Sequence, residues 1–140
     1  MHTMSYLFFN GNCAEALRYY EQVISAKIGG MMLNAHAQKP EDRMPGGDDL
    51  VMNAVLQVGA VTIMASDAPG GWYQKPQGFR IYLETDSADD ANRIFAAFSD
   101  GGEIATPIAE SFWAERFGMV TDKFGTPWMM SFTGSKRMQP

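Results

Sequence analysis

Hydrophobic and polar residues alternate in several short runs along the chain, and each run predicts a half-buried β-strand. In the run at residues 4–10, Leu7 and Phe9 fall on one face, while Tyr6 and Phe8 fall on the other. Turn-forming residues separate the runs. The pattern predicts strands at residues 4–10, 27–34, 50–58, 61–66, 79–85, 103–110, 114–121 and 127–132.

Two stretches instead show apolar residues at helical spacing. Before the first, Asn12 with Glu15 three residues later predicts an N-cap with a capping box and a helix at residues 13–25. Before the second, Ser87 with Asp90 repeats the signal. The predicted helical stripes are Ala16, Leu17, Tyr20, Val23 and Ile24 in the first helix and Ala91, Ile94, Phe95 and Phe98 in the second.

The order of elements is strand, helix and three strands, and the same order then repeats. A shift of 74 positions places Leu7 on Ile81. Residues 63–66 and residues 128–131 also resemble each other, since each run ends a strand with a Met in second place and a Ser in fourth. We therefore predict an α+β domain at residues 1–134, with module 1 at 4–66, a linker at 67–78, module 2 at 79–133 and a tail at 134–140.

Each module is predicted to be a βαβββ unit, in which the helix covers one face of a curved mixed sheet. The other face is then free to form a trough, and two troughs side by side would form a cup that holds a ligand. The linker at residues 67–78 is long enough for the cup to close within one chain or across a dimer. Both arrangements stay open.

Two connections have sequences of their own. Residues 122–127 hold an Asp that can bond to its own turn backbone and a Gly that can take positive φ, which predicts a hairpin between the last two strands. Residues 35–49 form a long polar loop, and loops of that length are often mobile or functional. The sequence does not assign the loop a role.

Composition narrows the function classes. The chain of 140 residues is 46% hydrophobic and 19% charged, as is typical of a globular protein. Its formal charge of −5 and its lack of a basic cluster argue against a nucleic-acid partner. A single cysteine precludes an internal disulfide, and no apolar run reaches the roughly 20 residues of a membrane span. With no secretory signal at its start, the chain is expected in the cytoplasm.

Three runs of the sequence resemble the PhnB-like branch of the vicinal oxygen chelate superfamily. They are YLFFNGNCAEALRYY at residues 6–20, IMASD at 63–67 and FWAERFGMVTDKFGTPW at 112–128. This superfamily includes glyoxalases, bleomycin-resistance proteins and extradiol dioxygenases. The resemblance implies paired βαβββ modules and a homodimer. The branch is often labelled after a demethylubiquinone methyltransferase, but the chain has no glycine-rich turn of the kind that holds a nucleotide-like cofactor.

The resemblance also implies a divalent metal held by His, Glu or Gln on the first and last strands of each module. The matching positions here hold Tyr6 (or Ser5, one register away), Met64, Arg80 and Met129. Thioethers are soft ligands and guanidinium has no lone pair to give, so these side chains suit neither magnesium nor zinc. Asn53 stands where relatives often have a histidine on the third strand. We expect no metal and no cofactor.

Arg80 is the most informative candidate. The alternation at residues 79–85 places it with Tyr82 and Glu84, opposite Phe79, Ile81 and Leu83. An arginine on the inward face of a strand requires an anionic partner. That partner is either an internal carboxylate, from Glu110, Glu115 or Asp122, or an anionic group of a ligand.

Other reactive side chains have less specific surroundings. Cys13 begins a helix, where the dipole can lower the pKa of a thiol, although a buried structural cysteine is the commoner case. His2 and His36 are expected to be solvated, with a lid role open for His36. Several aromatic residues can line a pocket or pack in the core: Tyr6, Phe8, Trp72, Tyr82, Trp113 and Trp128.

Two functions are consistent with these residues. The first is a metal-free protein of the bleomycin-resistance type that binds a small molecule in an aromatic-lined cup. The second is a metal-dependent lyase, isomerase or dioxygenase of the same superfamily that acts on a small substrate. The candidate ligand-binding residues are Tyr6, Phe8, Asn53, Met64, Arg80, Tyr82, Trp113 and Met129.

Overall fold

The computed structural model describes residues 1–136 and divides the chain into two compact units, Met1–Gln74 and a second that begins at Lys75. The first unit contains β1 (Ser5–Phe9), α1 (Cys13–Ile24), β2 (Lys27–Leu33), β3 (Val51–Val58) and β4 (Val61–Asp67). Two short 3₁₀ turns, Asn34–His36 and Pro40–Asp42, lie between β2 and β3. The second unit contains β5 (Ile81–Glu84), α2 (Ala88–Ser99), β6 (Glu103–Ala109), β7 (Arg116–Thr121) and β8 (Pro127–Phe132).

The sheet of the first unit has the order β1-β4-β3-β2, with β1 parallel to β4 and the other pairs antiparallel. Helix α1 covers one face, where Leu7 and Phe9 of β1 are only 5% and 0% exposed. Tyr6 and Phe8, at 41% and 52%, lie on the face opposite α1, as the alternation predicts. We call this the open face of the first sheet.

The second unit repeats this arrangement, with the order β5-β8-β7-β6 and β5 parallel to β8. Under α2, the ring of Trp128 stacks on Phe98 with the centroids 4.9 Å apart. Gly118 of β7 lies under the same helix, where a Cβ atom would be 2.8 Å from the Phe95 ring. The missing side chain therefore lets α2 pack closely against the sheet. The face opposite α2 is the open face of the second sheet.

The predicted fold class, α+β with two βαβββ modules and mixed sheets, is confirmed. All eight strands and both helices occur where the sequence places them, within a few residues at the ends. The hairpin at residues 122–127 is also present, since Asp122 Oδ1 accepts from the N–H groups of Phe124 and Thr126 and Gly125 has a φ of 90°. Of the predicted tail, residues 137–140 lie outside the described part.

Two strand boundaries in the structure differ from the predicted ones, and both differences affect residues near the candidate site. Asp67, predicted to begin the linker, is the last residue of β4 and is 2% exposed. Phe79 and Arg80, predicted to lie on the fifth strand, precede β5, and Phe79 is 50% exposed and not on the core face. The chain approaches β5 through Pro76 and Gly78, which do not favour an extended ladder.

The uniform shift of 74 positions between the modules is also off in register. Tyr6 pairs with Met64, and Tyr82 pairs with Met129, so the counterpart of Tyr6 is Tyr82, 76 positions later, and not Arg80. Side chains alternate with a period of two along a strand. A two-residue error therefore keeps apolar residues matched with apolar ones, and the hydrophobic pattern alone does not reveal it.

The two helices, each of twelve residues, begin differently from one another. At α2, Ser87 Oγ accepts from the N–H of Asp90 at 3.0 Å, as predicted. At α1, the predicted cap is wrong: the Asn12 side chain makes no capping hydrogen bond, and its Oδ1 is buried without a partner among the described residues. No helix within residues 1–136 is long and apolar enough to cross a membrane.

Candidate functional site

Four of the predicted ligand-binding residues come together on the open face of the first sheet. Tyr6 and Met64 are partners across β1 and β4, and the rings of Tyr6 and Phe8 are 5.0 Å apart. The Tyr6 hydroxyl donates to Asn53 Oδ1 on β3 in a long hydrogen bond of 3.4 Å. The strand pairing places all four side chains on one surface, because neighbours in register share a face.

Three more of these residues are neighbours in the second unit. Tyr82 and Met129 are partners across β5 and β8, and Arg80 immediately precedes β5. The Tyr82 hydroxyl donates to Glu84 Oε1 at 2.8 Å. Burial, together with the neighbouring Glu84 carboxylate, raises the pKa of the Tyr82 hydroxyl above its ordinary value. Tyr82 is therefore a neutral hydrogen-bonding group at physiological pH.

The eighth residue, Trp113, lies apart from this group in the connection between β6 and β7. Its ring packs edge-on against Phe112 and Phe117, at centroid distances of 4.7 and 5.1 Å. Two other aromatic candidates divide between surface and core: Trp72 is 61% exposed, whereas Trp128 is 1% exposed and donates to Asp122 Oδ2. Trp128 is a core residue and does not face a ligand.

A cavity of about 430 Å³ lies on the open face of the second sheet beside Arg80. We call it the Arg80 cavity. Met119 and Met129, partners across β7 and β8, form its floor. Met119 was not among the residues predicted from the sequence, although the alternation of β7 places it on this face. The remaining lining residues are Pro76, Gln77, Gly78, Phe79, Thr121 and Pro127.

The Arg80 guanidinium makes no ion pair with any described residue, and its one hydrogen bond, of 3.3 Å, goes to the Trp128 carbonyl oxygen. The internal partners considered from the sequence are engaged elsewhere. Glu110 pairs with Lys136, whose hydrogen bond and charge lower the pKa of that carboxyl group. Glu115 accepts from the Ser135 N–H at 2.7 Å, and Asp122 accepts from its own turn and from Trp128. The internal salt-bridge alternative is therefore wrong.

The side chains at the superfamily's metal positions do not suit a hard divalent ion. In the first unit these positions hold the Tyr6 phenol beside the Met64 thioether, and in the second the observed register pairs the Tyr82 phenol, not Arg80, with the Met129 thioether. One phenol and one thioether do not replace the imidazole and carboxylate ligands that such ions prefer. No group of three or more His, Cys, Asp or Glu side chains within residues 1–136 is placed to hold a metal ion.

Helix N-termini that follow a strand often bind the phosphates of nucleotide cofactors. At α1 that position is taken by the protein itself, because the Cys13 N–H donates to Asp67 Oδ1 at 3.0 Å. A fixed carboxylate there repels a phosphate. The residues at the β1–α1 junction therefore do not fit a nucleotide-like cofactor, in agreement with the missing glycine-rich turn.

The environment of Cys13 is that of an unreactive, buried thiol. Its side chain is 0% exposed, and burial followed by the charge of Asp67 raises the pKa of the thiol to about 12. Desolvation thus outweighs the helix dipole, which would lower that pKa. Cys13 is a structural core residue.

Comparison with known proteins gives a consistent result. The model of the family described as 3-demethylubiquinone-9 3-methyltransferase matches residues 1–131. Protein YjdN of Escherichia coli K12 is 34% identical over 134 residues, which are 90% of this chain and 91% of that protein. The crystal structure of protein PA1353 from Pseudomonas aeruginosa has 36% identity and a TM-score of 0.82, covering 94% of this chain and 97% of that one.

A solved structure with lower sequence identity has the same fold. The glyoxylase/bleomycin resistance protein/dioxygenase domain from Frankia sp. EAN1pec has a TM-score of 0.64 at 13% identity, covering 96% of this chain and 98% of that one. At that identity the similarity shows the fold alone. Together these matches confirm the resemblance that the three sequence runs indicate.

Proposed function

The chain belongs to the family described as 3-demethylubiquinone-9 3-methyltransferase, and on that premise we propose that it binds a small organic anion without a metal ion. The charged group of the ligand would pair with Arg80, and its apolar part would contact Met119 and Met129. The single observation that supports this proposal is the half-buried guanidinium at the edge of a cavity, without a carboxylate partner in the described chain.

The dimensions and chemistry of the Arg80 cavity fit a compact ligand. A volume of about 430 Å³ lies within the usual range of small-molecule pockets. Methionine side chains are flexible and polarizable, so they adapt to apolar ligands of different shape. Guanidinium offers paired N–H donors to a carboxylate or to a similar oxyanion. We therefore propose an aromatic or aliphatic acid as the ligand class.

Two further features of the proposal come from the sequence and not from the geometry of the site. We propose that the protein is a homodimer and that it acts in the cytoplasm. Light scattering coupled to size-exclusion chromatography tests the first. A mass of one chain at the concentration of the binding assay would contradict it.

Titration of Arg80 variants with benzoate tests the site, with benzyl alcohol as the uncharged probe. Arg80→Gln should weaken benzoate binding by about 10- to 100-fold, because a hydrogen bond to a charged group contributes roughly 1.5–3 kcal/mol. Arg80→Lys should recover part of the loss. Benzyl alcohol should bind both proteins with similar, weak affinity.

The matched control is Arg18→Gln, which removes the same charge from an exposed position on α1 and should leave benzoate binding unchanged. Equal benzoate affinity in wild type and Arg80→Gln would remove Arg80 from the site. Metal analysis of the purified protein tests the proposal that binding requires no metal ion. Stoichiometric iron, manganese, nickel or zinc would favour the metal-dependent enzyme instead.

A further inference from the structure

A second cavity, of about 370 Å³, lies on the open face of the first sheet between β2 and β3. We call it the Asn53 cavity. Its walls combine apolar side chains with two polar ones, and the polar ones each have one end already hydrogen-bonded to the protein. The lining residues are Gly30, Met31, Met32, His36, Asn53 and Val55.

The hydrogen bond from Tyr6 sets the orientation of the Asn53 amide. The Tyr6 hydroxyl donates to Oδ1, so Oδ1 is the end of the amide that faces Tyr6. An amide that accepts at its oxygen presents its NH₂ group on the other side. Nδ2 has no acceptor among residues 1–136 and remains available as a donor.

A backbone hydrogen bond fixes which nitrogen of His36 is protonated. The Leu33 N–H donates to His36 Nδ1 at 2.9 Å, which requires a lone pair on Nδ1. In the neutral ring the proton is then on Nε2. His36 therefore offers an N–H donor, as Asn53 does, and lines the same cavity.

The turn that carries His36 is held in place by a buried side chain, Asn34, which is 0% exposed. Its Nδ2 donates to the carbonyl oxygens of Met44 and Gly47, at 2.9 and 3.1 Å, and its Oδ1 accepts from the Met44 N–H at 2.9 Å. All the hydrogen-bonding groups of the amide are directed into the loop at residues 35–49. These bonds hold the 3₁₀ turn Asn34–His36 against the loop, and the Asn34 N–H also donates to the carbonyl oxygen of Leu50, directly before β3, at 2.8 Å.

We propose that the Asn53 cavity binds the acceptor oxygen of a small, otherwise apolar molecule, such as a ketone, ester or amide. Asn53 Nδ2 and His36 Nε2 donate to that oxygen, and Met32 and Val55 contact the apolar part. These two donors favour a ligand oxygen that accepts hydrogen bonds. The chemistry proposed here differs from that proposed for the Arg80 cavity, where the ligand is an anion.

Methionine methyl groups provide the test, because methionine side chains line both cavities. With ¹³C-methyl methionine labelling, Met32 reports on the Asn53 cavity, and Met119 and Met129 report on the Arg80 cavity. Acetophenone, which has one carbonyl oxygen, should shift the Met32 signal with a saturable dependence on concentration. Ethylbenzene, which has no oxygen, should bind about three- to tenfold more weakly.

Two substitutions test the donors separately. Asn53→Asp replaces the donor with an acceptor, and His36→Asn keeps an acceptor near the Leu33 N–H while removing Nε2. Each should weaken acetophenone binding by about three- to tenfold. The control Gln57→Glu makes the same charge change as Asn53→Asp at an exposed position of β3 and should have no effect.

Several results would overturn the inference. A Met32 signal that does not respond to acetophenone would do so, as would equal acetophenone affinity in wild type and both donor variants. Failure of benzoate at the Met119 and Met129 signals would count against the Arg80 proposal only. Both variants should keep the dispersed amide spectrum of the wild type, since the hydrogen bonds of the Asn53 and His36 side chains are exposed to solvent.

Discussion

The two units place a twelve-residue helix on a sheet of the same order, yet they satisfy the helix N-terminus in opposite ways. In the second unit the cap is local, since Ser87 lies directly before α2. In the first unit the acceptor is Asp67, 54 positions away at the end of β4. The first four N–H groups of any helix lack partners within it, and what they need is an oxygen, whatever its position in the chain.

Asp67 does more than cap a helix. Its Oδ1 accepts from the Cys13 N–H and its Oδ2 from the Val51 N–H at 2.8 Å, so one carboxylate joins the starts of α1 and β3 to the end of β4. In the second unit the buried carboxylate is Asp122, which serves its own turn and Trp128. The first unit thus depends on a long-range hydrogen bond where the second depends on local ones.

The largest expected effect follows from removing that carboxylate. Asp67→Ala leaves the N–H groups of Cys13 and Val51 buried without acceptors. Hydrogen bonds to a charged group are worth roughly 1.5–3 kcal/mol each, so the free energy of unfolding should fall by about 3–5 kcal/mol. Denaturant titration followed by circular dichroism measures this change.

The control for this prediction is Asp49→Ala, which removes the same charge from an exposed loop position and should stay within about 0.5 kcal/mol of wild type. Asp67→Asn, with one acceptor oxygen left, should fall between the two. If Asp67→Ala unfolds at the same denaturant concentration as Asp49→Ala, then the long-range cap does not stabilise the first unit.

A smaller effect distinguishes the two residues that precede the helices. Ser87→Ala should lower the free energy of unfolding by about 1 kcal/mol, the usual cost of losing an N-cap. Asn12→Ala should change it by less than about 0.5 kcal/mol, because the Asn12 side chain makes no capping bond. Equal losses in the two variants would mean that Asn12 caps α1 after all.

The dependence of stability on pH should reveal the buried Cys13 thiol. Its pKa is raised from 9.0 to about 12 by burial and by Asp67. Near neutral pH both folded and unfolded chains hold this proton. Above about pH 9 the unfolded chain releases the proton while the folded chain keeps it, so stability falls as pH rises. Between about pH 9 and pH 10 the loss should be about 1 kcal/mol.

The variant Cys13→Ala isolates this contribution from other groups that titrate in the same range. The difference in unfolding free energy between wild type and Cys13→Ala should shrink by that amount over the interval. A difference that stays constant from pH 8 to pH 10 would show that the folded thiol ionises as readily as the unfolded one.

The open faces of the two sheets also differ, and the difference underlies the two proposed sites. Beside its tyrosine and methionine, the first sheet presents an uncharged amide, Asn53, whereas the second has a guanidinium, Arg80. The proposed ligands follow from this contrast: an acceptor oxygen at one sheet and an anion at the other. The benzoate and acetophenone titrations would weaken the contrast if both probes moved the same methionine signals.

The hydrophobic pattern was enough to predict the fold, because periods of two and of about 3.6 identify the buried face of each element. It predicted that Tyr6 and Phe8 face away from α1, and that Ser87 caps α2. It did not find the role of Asp67, because that hydrogen bond joins residues far apart in sequence. It also did not show that Met119 pairs with Met129, because that pairing depends on strand register, which side-chain class alone does not determine. That Glu110, Glu115 and Asp122 bond to other groups than Arg80 likewise depends on contacts between residues far apart in sequence.

The methionines that line both cavities have a chemical consequence. A thioether that meets solvent is open to peroxide, and its sulfoxide is polar where the thioether was not. Met32, at 52% exposed, would be reached long before Met130, which is 0% exposed under α2. Oxidative stress should therefore make the exposed cavity methionines polar and leave the buried core methionines unchanged. Methionine sulfoxide reductases should reverse the change.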